Sequence, residues 1–150
     1  MICPVSAEKV NESAVRVAAF ITVIITGAAI YCNMPVFMAL LAADFYLRAF
    51  TGGKYSPVKV LSKKVAAILD FPVKPVDAAP KKFAAGVGLA FSAAISLLVW
   101  FQFTVSAYSL AIVLVICASL ESFFGYCVGC VAYSCIVTPF LKRKSVTGSV

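Results

Sequence analysis

Leu120-Glu121-Ser122-Phe123-Phe124-Gly125-Tyr126-Cys127-Val128-Gly129-Cys130 is the stretch that decides how this chain folds. It lies inside an apolar run from Ala107 to Leu141. As one straight helix that run would reach about 50 Å, well beyond the ~30 Å hydrocarbon core of a bilayer. The run therefore has to break, and Gly125 and Gly129 are its weakest points. The expectation is a crossing over 107–124, a kink at 125–130 and a short helix over about 130–141. The break carries two thiols, Cys127 and Cys130, in C-x-x-C spacing, shortly after a carboxylate, Glu121. Such a pair can close a disulfide, bind a soft metal or pass a sulfur atom between its members. A carboxylate within an apolar run is expensive and calls for a partner.

Working outward, the composition points the same way. The chain has 150 residues, of which 63% are hydrophobic and 13% charged, with a mean hydropathy of +1.02. Soluble domains are nearer half apolar and a quarter charged. The excess predicts an all-α integral membrane protein, a four-helix bundle forming one domain over 1–150 whose partner is the lipid bilayer. The net charge of +7 does not point to nucleic acid, because the lysines collect in one loop and at the C-terminus and no basic-aromatic module is visible. There is no histidine, which excludes Ser-His-Asp triads, Cys-His nucleophile pairs and histidine metal ligands. Of the six cysteines, Cys32, Cys117 and Cys135 lie in or beside apolar runs and read as small buried residues. No cofactor or metal is expected: two thiolates with Cys3 and an acid make an unusual ligand set.

Residues 1–13 are polar and mixed in charge, with no basic segment leading into an apolar core, so a first crossing inserted without cleavage is expected. Residues 4–13 read as a short cytoplasmic lead-in, with an interfacial helix as the alternative. The first crossing spans about 14–32, with Arg16 in its first turn placed to snorkel toward head groups. Asn33 and Pro35 end it. The second spans about 35–50 and holds Asp44 and Arg48, four apart and so on one helix face. Ser56-Pro57 then reads as an N-cap followed by proline at the first helical position. Over about 57–70, Val58, Leu61, Val65, Ile68 and Leu69 recur at helical spacing between Lys59, Lys63 and Lys64, predicting a basic amphipathic helix on the membrane surface. A proline-stiffened connector leads into a third crossing, about 83–103. There Gly86 and Ala90 form a small-x-x-x-small pattern that predicts close helix packing, either within the chain or in a homo-oligomer.

The connections at 33–34 and 104–107 carry almost no charge, whereas Arg48, the lysines from Lys54 to Lys82 and Lys142-Arg143-Lys144 share the other side. The positive-inside rule then makes both termini cytoplasmic. Tracing the helices places Cys3, Arg16, Asp44, Arg48, Glu121, Cys127 and Cys130 at that same end of the bundle, where facing helices build sites.

Five motifs in order carry a resemblance: Cys3-Pro4-Val5-Ser6; Asp44-Phe45-x-x-Arg48; Tyr55-Ser56-Pro57; Pro75-Val76-Asp77-Ala78-Ala79-Pro80-Lys81-x-Phe83-Ala84; and Leu120-Glu121-x-x-x-Gly125-x-Cys127-x-Gly129-Cys130. Over nearly the whole chain the sequence resembles a bacterial membrane family known only as domain-of-unknown-function family 4395. The resemblance implies a small multi-spanning protein of the bacterial inner membrane and brings no established activity. Association of such domains with thioredoxin-like or sulfurtransferase proteins implies a partner of that kind.

Two functions follow as expectations. The first is thiol-disulfide exchange or sulfane-sulfur handling, with Cys127 and Cys130 as the exchanging pair, Cys3 as a relay thiol and Glu121 as proton acceptor. Arg16, Asp44 and Arg48 are the substrate-binding candidates. The second is a transporter or channel for thiosulfate, sulfide or a persulfide. A structural subunit whose charges serve assembly alone is the third class.

Overall fold

The computed structural model describes residues 9–147, with side chains from residue 9 to residue 140; Cys3, expected as a relay thiol, lies outside the described residues. Its regular elements there are six helices and two three-residue strands, joined by short turns. The order is β1 (Lys9–Asn11), α1 (Glu12–Cys32), α2 (Pro35–Phe50), α3 (Pro57–Ile68), β2 (Pro75–Asp77), α4 (Ala78–Trp100), α5 (Thr104–Phe124) and α6 (Val128–Thr147).

Local chemistry sets most of these boundaries. Asn11 caps α1, its Oδ1 accepting from Ser13 N at 3.1 Å, and Asn33 closes the helix in the left-handed region at φ 50°. Pro35 starts α2, where its missing N–H is not needed. Ser56 caps α3, its Oγ accepting from Lys59 N at 3.1 Å.

α1, α4 and α5 are long and apolar enough to cross a membrane, yet only 28%, 22% and 22% of their most apolar windows are buried within the chain. The apolar majority therefore faces outward, as it would toward lipid: Phe20, Ile24, Leu97, Ile112 and Ile116 are all exposed. α2 has 16 residues and is shorter than these three. Helix contacts run from α1 to α2, from α2 to α4, from α4 to α5 and from α5 back to α1. The core inside that ring is Ala29, Met38, Leu41, Phe45, Ile95 and Leu114, with small residues from α4 and α5 between them.

Small residues do the close packing. α1 buries Ala14, Ala18, Thr22, Thr26 and Ala29, and the hydroxyls of Thr22 and Thr26 bond back to Ala18 O and Thr22 O. On α4 the buried positions are Ala78, Ala85, Gly88, Ser92 and Ile95. A Cβ at Gly88 would lie 2.7 Å from Phe45 Cε1. The expected Gly86/Ala90 face is thus not the packing face within the chain: a Cβ at Gly86 would meet nothing within 4 Å, and Ala90 is exposed. The apolar surface of α4 continues all round the helix, and the depth of the Phe45 ring selects Gly88.

Four further expectations are corrected. Where the lead-in is described it is a strand up to Asn11: β1 (Lys9–Asn11) pairs antiparallel with β2, Lys9 opposite Asp77, and Glu12 N donates to Lys74 O at 2.9 Å. α4 starts at Ala78 rather than residue 83, and α6 runs from Val128 through Thr147 rather than over 130–141. α3 buries Val58, Ser62 and Ala66 against α1, leaving Leu61, Ile68 and Leu69 exposed beside Lys63 and Lys64. The alanines of α1 admit a small-residue stripe, so the bulkier apolar residues turn away. Finally, Cys32 and Cys135 are exposed and Cys117 is half-buried, so none of the three is a fully buried core residue.

Candidate functional site

The expected break is present. α5 ends at Phe124, with Gly125 in the left-handed region at φ 68° and its N–H bonded to Glu121 O at 3.0 Å. Arg16, from the first turns of α1, closes that end: its Nε donates to Ser122 O at 3.0 Å and its Nη2 to Phe123 O at 2.6 Å. A guanidinium on the last carbonyls of a helix meets both their unmade hydrogen bonds and the negative end of the helix dipole. Arg16 thus fixes the turn from which the thiols hang. A Cβ at Gly125 would lie 2.9 Å from Glu12 Oε1, so glycine answers both the backbone twist and the space.

Cys127 is buried just before α6, and its carbonyl accepts from Cys130 N and Val131 N at 3.0 and 3.1 Å. Cys130 is half-buried in the first turn of α6. The two side chains approach to 3.2 Å and are not bridged. Gly129 lets α6 lie against α4 at this depth, since a Cβ there would come within 2.6 Å of Ala84 Cβ. The Phe83 and Tyr133 rings, 5.5 Å apart, hold the same two helices together further along.

The thiols are not equivalent. Their shared hydrogen bond, then burial, then the nearby Glu121 carboxylate push the Cys127 thiol far up from its ordinary value. The hydrogen bond from Cys127, helped by Lys81, holds Cys130 below its ordinary value. The hydrogen bond therefore favours Cys130, which is also the more accessible, as the thiolate of the pair.

Glu121 has its partner, and the sequence reading did not find it. Lys81 Nζ on α4 lies 2.7 Å from Glu121 Oε1 on α5, with side-chain exposures of 16% and 19%. By sequence, Lys81 falls among the positive-inside lysines. The signal was there: a lysine in a helix's first turn and a glutamate in another's last turn both oppose their helix dipoles, and pairing relieves both.

Asp44 and Arg48 pair with each other at 2.7 Å between Oδ2 and Nε. Asp44 Oδ1 also accepts from Ser56 Oγ and from Val58 N, so Asp44 ties the start of α3 to α2. Arg48 stacks 5.2 Å from the Phe45 ring centre and donates from Nε to Ser56 Oγ at 3.3 Å. Asp44 is committed to structure; Arg48 lines a cavity of about 600 Å³ together with Lys81 and Glu121. Among the described residues, no cluster of three or more metal-ligating side chains occurs.

The fold and these contacts define an all-helical protein with three helices fit to cross a membrane and a thiol pair set beside a half-buried lysine–glutamate pair. The chain belongs to the family described as a domain of unknown function, DUF4395, which matches residues 10–138. Comparison with curated proteins and with solved structures returned no match.

Proposed function

We propose that this is a four-crossing membrane protein, with α1, α2, α4 and α5 as its crossings, that carries out thiol-disulfide exchange or sulfane-sulfur handling at Cys127 and Cys130. On this reading both termini face the cytoplasm of a bacterial inner membrane. The exposed Leu61, Ile68 and Leu69 of α3 rest in the lipid interface. The observation that carries the reading is the unbridged approach of Cys127 and Cys130 to 3.2 Å beside an ion pair able to manage protons.

In the exchange, the Cys130 thiolate attacks a disulfide of a thioredoxin-like partner, forming a mixed disulfide and releasing one partner thiolate. Cys127 then loses its proton to Glu121 and attacks the Cys130 sulfur, releasing the second partner thiolate. The partner is reduced to its dithiol and gains two protons; Cys127 and Cys130 are oxidised to a disulfide. Closing that bond brings the sulfurs to about 2.05 Å, a small movement from where they stand. For sulfane sulfur, the Cys130 thiolate takes the outer sulfur of a persulfide donor, releasing the donor's thiolate and leaving a Cys130 persulfide. Arg16 acts by holding the end of α5, and Asp44 acts through Arg48 and α3.

Incubating reconstituted protein with an oxidised thioredoxin-like protein tests this. Loss of both thiols to mass-tagging is expected, slowed about tenfold or more by Glu121→Gln, as for loss of a positioned general base. Identical tagging under oxidising and reducing conditions would remove the exchange.

The cavity favours a second reading, transport of thiosulfate, sulfide or a persulfide. Uptake of labelled thiosulfate or sulfide into proteoliposomes above that of empty vesicles supports it; uptake equal to empty vesicles excludes it.

A further inference from the structure

α3 gives one face to α1 and leaves another uncovered. Val58, Ser62 and Ala66, each four residues apart, pack inward. On the outward side Leu61 and Ile68 line one edge, Lys63 lies on the other, and Lys64 falls between them. All four are exposed, Leu61 at 50% and Ile68 at 81%. The apolar edge continues past the helix through Leu69, Phe71 and Val73, which are exposed as well. A contiguous apolar surface of this kind, rimmed by charge, marks a place where the protein meets something other than water.

Hydrogen bonds at both ends fix the level of that surface. The start of α3 is held to α2 by Asp44, whose Oδ1 accepts from Val58 N at 3.2 Å. Asp44 stands about 9 Å along the helix from the end of α2 at Phe50. The segment after α3 is held to the start of α1: Ser13 Oγ donates to Pro72 O at 2.7 Å, and Glu12 N to Lys74 O at 2.9 Å. The uncovered surface therefore runs from the last turns of α2 to the first turn of α1. With α1 and α2 as crossings, as proposed above, that interval is the headgroup region, the depth at which an amphipathic helix buries its apolar side. Charge then selects the lipid. Between residues 60 and 74 the ionisable side chains are Lys63, Lys64, Lys74 and Asp70, all exposed, so three positive charges face one negative. Among the described residues, no ion pair or side-chain hydrogen bond engages those three lysines. Lys59, whose Nζ donates to Gly52 O, is already committed and is not counted with them.

We propose that α3 and residues 69–74 form a docking surface for anionic lipid. Leu61, Ile68 and Phe71 enter the acyl boundary, and Lys63 and Lys64 meet headgroup phosphates. A zwitterionic surface answers the apolar edge alone, whereas a net negative one answers the lysines too. The inference deepens the interfacial placement of α3 and rests on the crossings proposed above; it owes nothing to the thiol chemistry.

The test places the full chain in phosphatidylcholine nanodiscs with part of the lipid replaced by phosphatidylglycerol. Spin-labelled forms of the two lipids are compared by electron paramagnetic resonance for the fraction immobilised at the protein. A preference for phosphatidylglycerol is expected, lowered about fivefold by Lys64→Gln and further by Lys63→Gln/Lys64→Gln. Added salt should weaken it, and Asp70→Asn should raise it. Asp70 stands at φ 53°, a conformation that asparagine also adopts, so that variant keeps the local fold. The preference should persist in Cys127→Ser/Cys130→Ser, which ends the thiol chemistry. No preference, or one indifferent to the lysine and Asp70 variants, overturns the proposal and leaves the crossings in place. Release of the chain from membranes by alkaline carbonate overturns the crossings and this proposal together. Cross-linking of Lys64 to a second copy of the chain, without a lipid preference, assigns the face to a homo-oligomer and overturns it as well.

Discussion

Two of the ion pairs among the described residues have the same length and do different work. Asp44 and Arg48 are 2.7 Å apart within one helix, and their bonds to Ser56 and Val58 turn them into the hinge-pin of α3. Lys81 and Glu121 are also 2.7 Å apart, but they join α4 to α5 and act on the two thiols through space. A pair between neighbours in sequence sets local architecture. A pair between distant segments sets an environment, because its charges are placed by packing rather than by the helix they belong to.

That difference can be broken open by mutation. Asp44→Ala leaves a buried guanidinium and the start of α3 without an acceptor. It should destabilise the protein by about 3–5 kcal/mol, read by unfolding in mixed micelles. Glu121→Gln should be much milder in the same assay while changing thiol reactivity; equal losses of stability would erase the distinction. Gly129→Ala should cost about 1–3 kcal/mol by forcing α6 off Ala84. It should also uncouple Cys130 from Lys81, seen as slower alkylation of Cys130. Gly125→Ala combines a positive φ with a contact on Glu12 and should cost about 1 kcal/mol or slightly more. A stability unchanged by Gly125→Ala would mean the break is held by Arg16 alone.

The smallest effect is in pH dependence. A thiol whose ordinary value is lowered keeps its thiolate to lower pH, so alkylation of Cys130 should reach half its maximal rate below pH 9.0. Cys127 is raised and should label only at higher pH. In Cys130→Ala the leading cause of that rise is gone, and the Cys127 profile should move down. Superimposable profiles for the two thiols in the wild-type chain would contradict the shared hydrogen bond.

Much of the fold was legible because it is written locally. The Asp44–Arg48 spacing, the Ser56-Pro57 start of α3 and the break at Gly125 each depend on a few adjacent residues. What escaped depends on rotation and depth. Ala84, Ala85, Gly86, Gly88 and Ala90 offer small residues on every side of α4, and only the Phe45 ring chooses Gly88. The β1–β2 pairing joins segments more than sixty residues apart with no alternation to mark it. Lys81 was hidden by its company: beside Lys82 it looked like one more surface charge, when its place in a first turn opposite a last-turn glutamate was the better guide.

The central claim is that helices bring Cys127 and Cys130 together as a reactive, protonically unequal pair. Peptide mapping by mass spectrometry after mild oxidation of the reconstituted protein tests it most directly. The account predicts one intramolecular disulfide joining Cys127 to Cys130, with Cys32, Cys117 and Cys135 left reduced. Recovery of Cys127 and Cys130 as free thiols, or bonded to other cysteines, would contradict it.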